Sequence, residues 1–395
     1  MPVPAVFALE GVARHYAWGS RTAIANLLGI AADGAPVAEL WFGAHPDAPA
    51  GVPGLAVPLD ALIRSAPEAL LGRSVVEHYG PHLPFLLKVL AADSALSLQV
   101  HPTLAQARAG YDAEDARAIP RDAPERNYRD RNHKPELLCA LTPFDALCGF
   151  RPVADTLRLL DALERAELAP LRTLLGGPDG LRVAFTALLS HPDPTRLVAA
   201  VVGGLGPLAA HPEWAGAARA VAIAAGDFPG DIGVVLALLC NAVRLEPGEA
   251  LYLDAGTVHA YLRGTGVELM ATSDNVLRCG LTAKHVDVPE LLRITEFVPL
   301  QEPRCPAEDT GSGPGFTTPA PDFALSIVEL DARQGPRAVT GTGPFMVLNT
   351  NGAVEVEALA TVVPLTPGRA AFVVARQDFT LRGTGQVFLA TVGRW

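Results

Sequence analysis

Apolar residues follow two different periods along the chain, and the changes of period divide it into segments. Over residues 1–152, short apolar runs are interrupted by Gly, Pro and Asp, which predicts buried strands with a few helical pieces. Over residues 153–242, apolar residues recur at helical spacing, which predicts an all-helical insertion. The strand pattern returns over residues 243–297, so we expect one β domain split by the insertion. A linker rich in Pro, Gly and Thr opens residues 298–395, whose closely spaced strand patterns predict a second antiparallel jelly roll.

Composition excludes several classes of function. The chain has 395 residues, of which 49% are hydrophobic and 18% charged, which is typical of a folded protein with two or three domains. Its net charge of -11 argues against a nucleic-acid partner, and an anionic ligand would need a local basic site. No apolar run reaches membrane-spanning length, and the N-terminus lacks the pattern of a signal peptide. The five cysteines are widely spaced and odd in number, which indicates reduced thiols and a cytoplasmic location.

Four polar residues in strand-like segments form a candidate metal site. Gln99 and His101 stand two apart in the run "SLQVHP", so both side chains leave the same face of one strand. Glu136 and His259 each lie in a strand-like segment of their own. Two imidazole nitrogens, one carboxylate and one amide oxygen suit Zn²⁺ or a similar divalent ion. A single His in a strand is more often a hydrogen-bonded core residue, so the prediction depends on the spacing and on the surrounding motifs.

The C-terminal domain repeats part of the split β domain. Residues 245–272 align with residues 365–391 when one residue is deleted, and both contain Leu-x-Pro-Gly followed by Leu-Arg-Gly-Thr-Gly. A Pro-Gly turn is a common hairpin element, but the second match at a consistent offset favours duplication of one β module. The alignment places Asp378 at the position of His259. Because residues 323–395 contain no His or Cys, we expect this degenerate jelly roll to hold no metal.

Three longer motifs surround the candidate metal ligands. They are "PFLLKVLAADSALSLQVHP", "NHKPELLCALTPFDALCGF" and "GVELMATSDNVLRCGLTAKHVDV". They resemble the type I phosphomannose isomerases, which are zinc enzymes with a cupin (jelly-roll) core, and the resemblance runs from near His15 to about Leu292. It implies a cupin fold for the split domain, which is then the catalytic domain, and one Zn²⁺ per chain. It also implies reversible interconversion of D-mannose 6-phosphate and D-fructose 6-phosphate through a metal-stabilised enediol(ate).

The resemblance implies three catalytic residues. Lys134 stands two residues before Glu136 and shares its strand face, although a simple salt bridge between them is an alternative. The family residue that matches Arg278 is catalytic, and a guanidinium is a poor base but a good clamp on an enediolate. Glu268 is a carboxylate in an apolar strand, so it is either a proton carrier or a structural partner of Arg278. Glu268, Lys134 and a metal-bound water all remain candidates for the proton carrier.

The resemblance also implies contacts with the substrate and its phosphate. The residues at the matching positions are Ser97, Lys88, Lys284, Asp274 and Tyr261. Lys88 is a lone charge in an apolar run, and Ser97 shares a strand face with Gln99. A capping role for Asp274 and a half-buried structural role for Tyr261 are equally good interpretations. The run "TAKHVDV" replaces the more usual "TPKxKDV", so Val286 removes a second lysine and His285 has no assignment.

Two other functions stay open on the sequence alone. Cupins with His and Glu ligands include Fe²⁺ dioxygenases, although these usually carry a His-x-His pair where this chain has Gln-x-His. A non-catalytic sugar-phosphate-binding cupin is the third possibility, and the intact candidate ligands argue against it. We expect a small-molecule sugar phosphate as substrate and a monomeric protein that contacts neither nucleic acid nor membrane.

Overall fold

The computed structural model describes residues 4–55, 57–310 and 313–394, so residues 311 and 312 of the predicted linker lie outside it. The strands are β1 (Val6–Leu9), β2 (Val12–Arg14), β3 (Glu39–Phe42), β4 (Phe85–Ala92), β5 (Leu98–Val100), β6 (Glu136–Ala140), β7 (Phe144–Phe150), β8 (Cys240–Leu245), β9 (Ala250–Leu253), β10 (His259–Ala271), β11 (Leu277–Gly280), β12 (Arg304–Cys305), β13 (Glu308–Asp309), β14 (Pro314–Phe316), β15 (Ala324–Leu330), β16 (Arg337–Val339), β17 (Phe345–Ala358), β18 (Thr361–Leu365), β19 (Ala370–Val373) and β20 (Phe379–Thr391). The helices are α1 (Ala23–Leu27), α2 (Leu59–Ser65), α3 (Pro67–Leu71), α4 (Arg73–Tyr79), α5 (Leu104–Ala116), α6 (Val153–Leu163), α7 (Ala169–Leu175), α8 (Gly180–Leu189), α9 (Pro194–Ala209), α10 (Ala215–Asp227), α11 (Gly233–Leu236) and α12 (Val288–Ile294). The prediction of a mainly β protein with a helical part is confirmed.

The first β module is an antiparallel sheet of 11 strands organised around β10. The N-terminal end of this long strand pairs with β5 and β7, and its C-terminal end pairs with β4 and β6. All eight residues of β4 are buried, which explains why its sequence reads as a continuous apolar run rather than an alternating one. The single long strand therefore connects two groups of strands whose side chains meet inside the module.

Helices α6 to α11 lie within the range predicted for the insertion. Their apolar faces form one core with Leu98, Val100, Leu147 and Phe150 of the adjoining strands. The insertion thus packs on the sheet that carries the candidate ligands instead of standing apart from it.

The second β module is a sheet of nine strands, and its first strand comes from the opposite end of the chain. β1 pairs with β19, with Val6 opposite Val373 and Leu9 opposite Ala370. Conversely, β12 pairs with β9 of the first module. The predicted boundaries at residues 1 and 298 therefore differ from the structure at these two strands. A short apolar strand fits any exposed sheet edge, so its local pattern does not specify which edge it covers.

The two β modules share an apolar core. Phe42 and Phe85 of the first module belong to the same buried cluster as Phe323, Phe372 and Phe388 of the second. Extensive apolar burial between modules is what fixes their relative position, because the hydrophobic effect scales with the area removed from water.

The structure corrects the alignment of the internal repeat. β19 starts 120 residues after β9, and β20 starts 120 residues after β10. This spacing aligns His259 with Phe379, so the prediction that Asp378 takes the position of His259 is wrong. β10 and β20 both contain 13 residues, and a β-bulge between Tyr261 and Arg263 shifts the register of β10 against β7.

Phe379 is buried and packs edge-to-face against Phe345, with 5.3 Å between the ring centroids. An aromatic ring thus fills the place of a candidate ligand. All five cysteines are free thiols. Among the described residues, no helix has the length and apolar character needed to cross a membrane.

We predict about one tightly bound zinc ion per chain, because the second module offers a phenyl ring where the first offers an imidazole. Elemental analysis after dialysis of zinc-loaded protein measures this stoichiometry. His259→Ala should lose the ion, whereas Phe379→Leu, a mild change in an apolar core, should retain it. Two ions per chain, with one surviving in His259→Ala, would contradict this interpretation of the repeat.

Candidate active site

Three candidate ligands converge inside the first β module. His101 follows β5, and Glu136 and His259 are the first residues of β6 and β10. His101 Nε2 lies 3.1 Å from Glu136 Oε1, and His259 Nε2 lies 4.0 Å from Glu136 Oε2. The two imidazole rings are tilted against each other with centroids 4.8 Å apart. All three side chains are almost completely buried, so water does not compensate their polar atoms.

The outer hydrogen bonds of both histidines fix their tautomers. His101 Nδ1 donates to the carbonyl oxygen of Asn275 at 2.8 Å, and His259 Nδ1 donates to the carbonyl oxygen of Thr257 at 2.9 Å. Their Nε2 atoms are then unprotonated acceptors that face a carboxylate, and His101 Nε2 has no hydrogen-bond partner. Burial lowers the pKa of both imidazoles, that of His259 to about 3. The histidines are therefore neutral at pH 7, and no proton lies between their Nε2 atoms and the carboxylate. Acceptors that face one another across a buried gap fit a cation between them.

Gln99 completes the candidate ligand set. It lies opposite His259 across the β5–β10 pairing, and its Nε2 is 3.3 Å from His259 Nε2. Its Oε1 accepts a hydrogen bond from Ser97 Oγ at 3.2 Å. A half-turn of the amide exchanges its oxygen and nitrogen without changing its shape, which would point the oxygen into the cluster. The structure thus brings together all four residues predicted as ligands.

Glu136 is held by two further groups. Lys134 Nζ lies 3.2 Å from Oε1, and the Tyr261 hydroxyl donates to Oε2 at 3.0 Å. Burial favours the neutral acid, but the ammonium of Lys134 outweighs it and keeps the pKa of Glu136 well below its ordinary value. Glu136 is therefore an anion at neutral pH. Tyr261 is fully buried on this carboxylate, in contrast to a half-buried structural tyrosine.

A second charged group lies next to the first, on β3, β4 and β10. Lys88 lies opposite Glu268 in the β4–β10 pairing, and its Nζ is 2.9 Å from Glu268 Oε2 and 3.5 Å from Glu39 Oε1. The same ammonium lies 5.0 Å from the ring centroid of Trp41. Glu268 thus pairs with Lys88, and the alternative of a structural pair with Arg278 is not what the structure shows.

The charges in this group determine two protonation states. Burial lowers the pKa of Lys88, but the carboxylates of Glu268 and Glu39 outweigh burial, so the net shift is upward and the lysine is charged. Burial also raises the pKa of Glu268. Lys88 opposes this effect and the neighbouring carboxylates reinforce it, and the result is a pKa of about 7. A carboxyl group with such a pKa exchanges its proton near neutral pH.

Arg278, Lys284 and Arg129 form a cationic cluster at the rim of the site. Arg278 lies directly opposite Gln99 in the β5–β11 pairing, so both side chains share one face of the sheet. Burial and then the charge of Arg129 lower the pKa of Arg278, and burial and then both arginines lower the pKa of Lys284. Among the described residues, no carboxylate forms an ion pair with any of these three side chains. Like charges held together without counterions indicate an anion site.

Asp274 belongs to another network beside this cluster. Its carboxylate lies 3.4 Å from His45 Nε2 and 3.3 Å from Arg121 Nη2. Burial favours the neutral acid, but the hydrogen bond from His45 outweighs it and lowers the pKa of Asp274 to about 2. His45 Nδ1 accepts from the backbone of Asp47, so Nε2 carries the proton and offers no lone pair to a metal. Together with the cation of Arg121, this makes a second metal site at His45, Asp47 and Asp274 a poor fit.

A cavity of about 660 Å³ between the two β modules contains none of the candidate ligands. Its lining includes His133, which donates to the buried carboxylate of Asp322 at 2.9 Å. The cavity is lined by residues 130–133, which precede Lys134, but by none of the candidate ligands around Glu136.

Sequence reasoning missed Glu39, His45, Arg121 and Arg129. The signal for Arg121 and Arg129 was their place in an arginine-rich loop just before Lys134. Glu39 and His45 reach the site through tertiary contacts alone.

Comparisons with known proteins identify the family. The model "Phosphomannose isomerase type I, catalytic domain" matches residues 6–153. Mannose-6-phosphate isomerase of Escherichia coli is 37% identical over 385 residues, covering 95% of this chain and 96% of that protein. The Rattus norvegicus mannose-6-phosphate isomerase is 31% identical over 425 residues, covering 97% of each.

A solved structure gives the same result in three dimensions. Mannose 6-phosphate isomerase from Salmonella typhimurium, bound to substrate (fructose 6-phosphate) and zinc, superposes with a TM-score of 0.90 at 35% identity. The match covers 98% of this chain and 100% of that one. The chain therefore belongs to the type I phosphomannose isomerase family of enzymes.

Proposed function

We propose that this protein is a zinc-dependent isomerase that interconverts D-mannose 6-phosphate and D-fructose 6-phosphate. The observation that carries the proposal is the gap between the Nε2 atoms of His101 and His259 and the carboxylate of Glu136, which calls for a cation. The family supports the same reaction, since its members include mannose-6-phosphate isomerases from bacteria and mammals. The relative from Salmonella typhimurium binds fructose 6-phosphate and zinc.

Gln99, His101, Glu136 and His259 would hold the zinc ion. One carboxylate and three neutral ligands leave the bound ion a net positive charge, with which it would polarise the substrate oxygens. Lys134 would keep Glu136 ionised, and the hydroxyl of Tyr261 would fix the other carboxylate oxygen. Ser97 Oγ contacts the amide of Gln99, and after the half-turn of the amide it would accept a hydrogen bond from Nε2 and so orient the oxygen toward the metal.

Isomerisation requires a proton to leave the carbon beside the carbonyl and to return to the neighbouring carbon through an enediol(ate). We assign this transfer to Glu268, because it is buried and its pKa of about 7 suits both acceptance and release of a proton. Lys88 would fix the position of Glu268 through their 2.9 Å contact. Lys134, one of the two other candidates, already forms an ion pair with Glu136.

Arg278 would stabilise the negative charge that develops on the enediolate oxygens. It faces the same side of the sheet as Gln99, and its guanidinium has no carboxylate partner among the described residues. A fixed cation aimed at developing charge lowers the barrier without moving a proton itself.

The phosphate group would bind Lys284 and Arg129. Both are exposed cations beside Arg278, whereas Lys88 is buried and already contacts two carboxylates. The sequence-based prediction gave Ser97, Lys88 and Lys284 to the phosphate, and of these we retain only Lys284. Local cations are needed in any case, since the chain has a net charge of -11 and repels a sugar phosphate at long range.

We also infer a cytoplasmic location and a monomeric state. The free thiols at all five cysteine positions support a reducing compartment. Each chain contributes the whole ligand set from its own strands, so the site needs no partner chain.

The purified protein should convert mannose 6-phosphate to fructose 6-phosphate in a coupled assay. Treatment with EDTA should abolish turnover, and added Zn²⁺ should restore it, because Glu136 and the two imidazoles then regain their cation. Undiminished activity in metal-free protein would refute the proposal.

Arg278→Ala and Arg278→Lys should lower kcat by about 100-fold or more and change KM far less, since the lost interaction is made in the transition state. Steady-state kinetics with mannose 6-phosphate measures both constants. Arg263→Ala, which removes an exposed arginine that pairs with Asp227, is the matched control and should leave both unchanged. An effect confined to KM would reassign Arg278 to ground-state phosphate binding.

Arg129→Ala and Lys284→Ala should each raise KM for mannose 6-phosphate by about tenfold or more, the usual cost of a charge-assisted hydrogen bond. Slow turnover of unphosphorylated mannose should not change. Lys88→Met should instead lower kcat for both sugars alike. The original assignment of Lys88 to the phosphate would be restored if Lys88→Met lost the preference for mannose 6-phosphate over mannose while Arg129→Ala and Lys284→Ala kept it.

A further inference from the structure

Asn275 uses its whole amide group inside the active site. It is completely buried between Asp274 and the start of β11. Its Oδ1 accepts from the backbone nitrogens of Arg129 at 2.7 Å and Asp130 at 3.2 Å. Its Nδ2 donates to the backbone carbonyls of Asp130 and Asn132, each at 2.8 Å. The side chain therefore forms hydrogen bonds with four backbone groups of another segment.

The main chain of the same residue reaches a candidate metal ligand. The carbonyl oxygen of Asn275 accepts the hydrogen bond from His101 Nδ1 at 2.8 Å. One residue thus orients an imidazole with its backbone and fixes a separate segment with its side chain. Outer hydrogen bonds of this kind determine the orientation of a ligand and its basicity.

Asn275 forms these hydrogen bonds with residues 126–133, here called the rim segment. This segment leads directly into Lys134. Its other end is anchored by the buried carboxylate of Glu114, which accepts from the backbone nitrogens of Asn127 at 3.0 Å and Tyr128 at 2.9 Å. Arg129 lies between the two anchors. Surface loops usually leave such backbone groups to water, so side chains that satisfy them on both sides fix the backbone of Arg129.

We propose that Asn275 is a positioning residue that holds Arg129 in register with the metal ligand His101. This inference depends on the proposed function, because it assumes that Arg129 binds the phosphate of the substrate. It predicts a fixed distance between the two ends of the substrate site. The chemistry requires a group with two acceptor lone pairs and two N–H donors in one plane, which only Asn or Gln supplies.

Aspartate at this position would keep the acceptors and lose the donors. Its carboxylate would face the carbonyls of Asp130 and Asn132 and the carboxylate of Asp130, whose Oδ1 lies 3.2 Å from Nδ2 of Asn275. Asn275→Asp should therefore displace the rim segment as Asn275→Ala does, although it preserves the volume of the side chain.

The experiment measures the dissociation constant of fructose 6-phosphate by calorimetry on zinc-loaded protein, together with zinc content and thermal stability. Asn275→Ala and Asn275→Asp should weaken binding about tenfold or more and retain about one zinc ion, because His101 is held by a backbone carbonyl that both variants keep.

Asn349→Ala is the control. Asn349 is an equally buried asparagine of the second module whose Nδ2 donates to the carbonyls of Gly352 and Leu365. It should lower stability and leave binding within about twofold.

A double-mutant cycle separates positioning from a general loss of stability. If Asn275 acts through Arg129, then Arg129→Ala should weaken binding strongly in the wild type and little further in Asn275→Ala. Independent, additive effects would overturn the proposal, and so would unchanged binding in both Asn275 variants or equal weakening in Asn349→Ala. The binding readout does not require turnover. A wild-type protein that binds fructose 6-phosphate but isomerises nothing would refute the proposed function and leave this inference standing.

Discussion

Two unprotonated imidazole nitrogens and an ionised carboxylate face one another in the buried interior of the first β module, and the rest of the site depends on this unfavourable arrangement of acceptors. A proton cannot resolve it, because burial lowers the pKa of both histidines and the outer carbonyls already use their Nδ1 protons. Unpaired buried acceptors cost free energy, so the fold holds them at the expense of its own stability. A bound divalent cation satisfies these acceptors and removes the cost. Metal binding should therefore increase the free energy of unfolding.

The long strand β10 explains how one fold positions two kinds of chemistry. Its first residue, His259, belongs to the metal cluster, and Glu268 near its other end belongs to the pair with Lys88. Regular pairing along the strand sets the separation of the two groups, and the bulge after Tyr261 is confined to the metal end. In the second β module, β20 pairs with β17 without a register shift near its start, and Phe379 stands in place of the ligand.

The prediction of the architecture and of the candidate ligands rested on local patterns of apolar and polar residues in the sequence. Alternation placed Gln99 and His101 on one face, and the apolar run of β4 signalled a strand buried on both sides. The same patterns could not place β1 on the edge of the second module, because a short apolar strand fits several edges. Partners that meet only through tertiary structure, such as Glu39 on Lys88, lie beyond reasoning from spacing.

The most direct test of the central claim is X-ray absorption at the zinc edge on zinc-loaded protein. Two imidazoles, one carboxylate and one amide oxygen predict a first shell of nitrogen and oxygen alone at about 2.0–2.2 Å, with the multiple scattering of two imidazole rings. Sulfur at about 2.3 Å would contradict the account, since Cys148, which lies opposite His259 in the β7–β10 pairing, would then have replaced a predicted ligand. A shell with only one imidazole would contradict it equally.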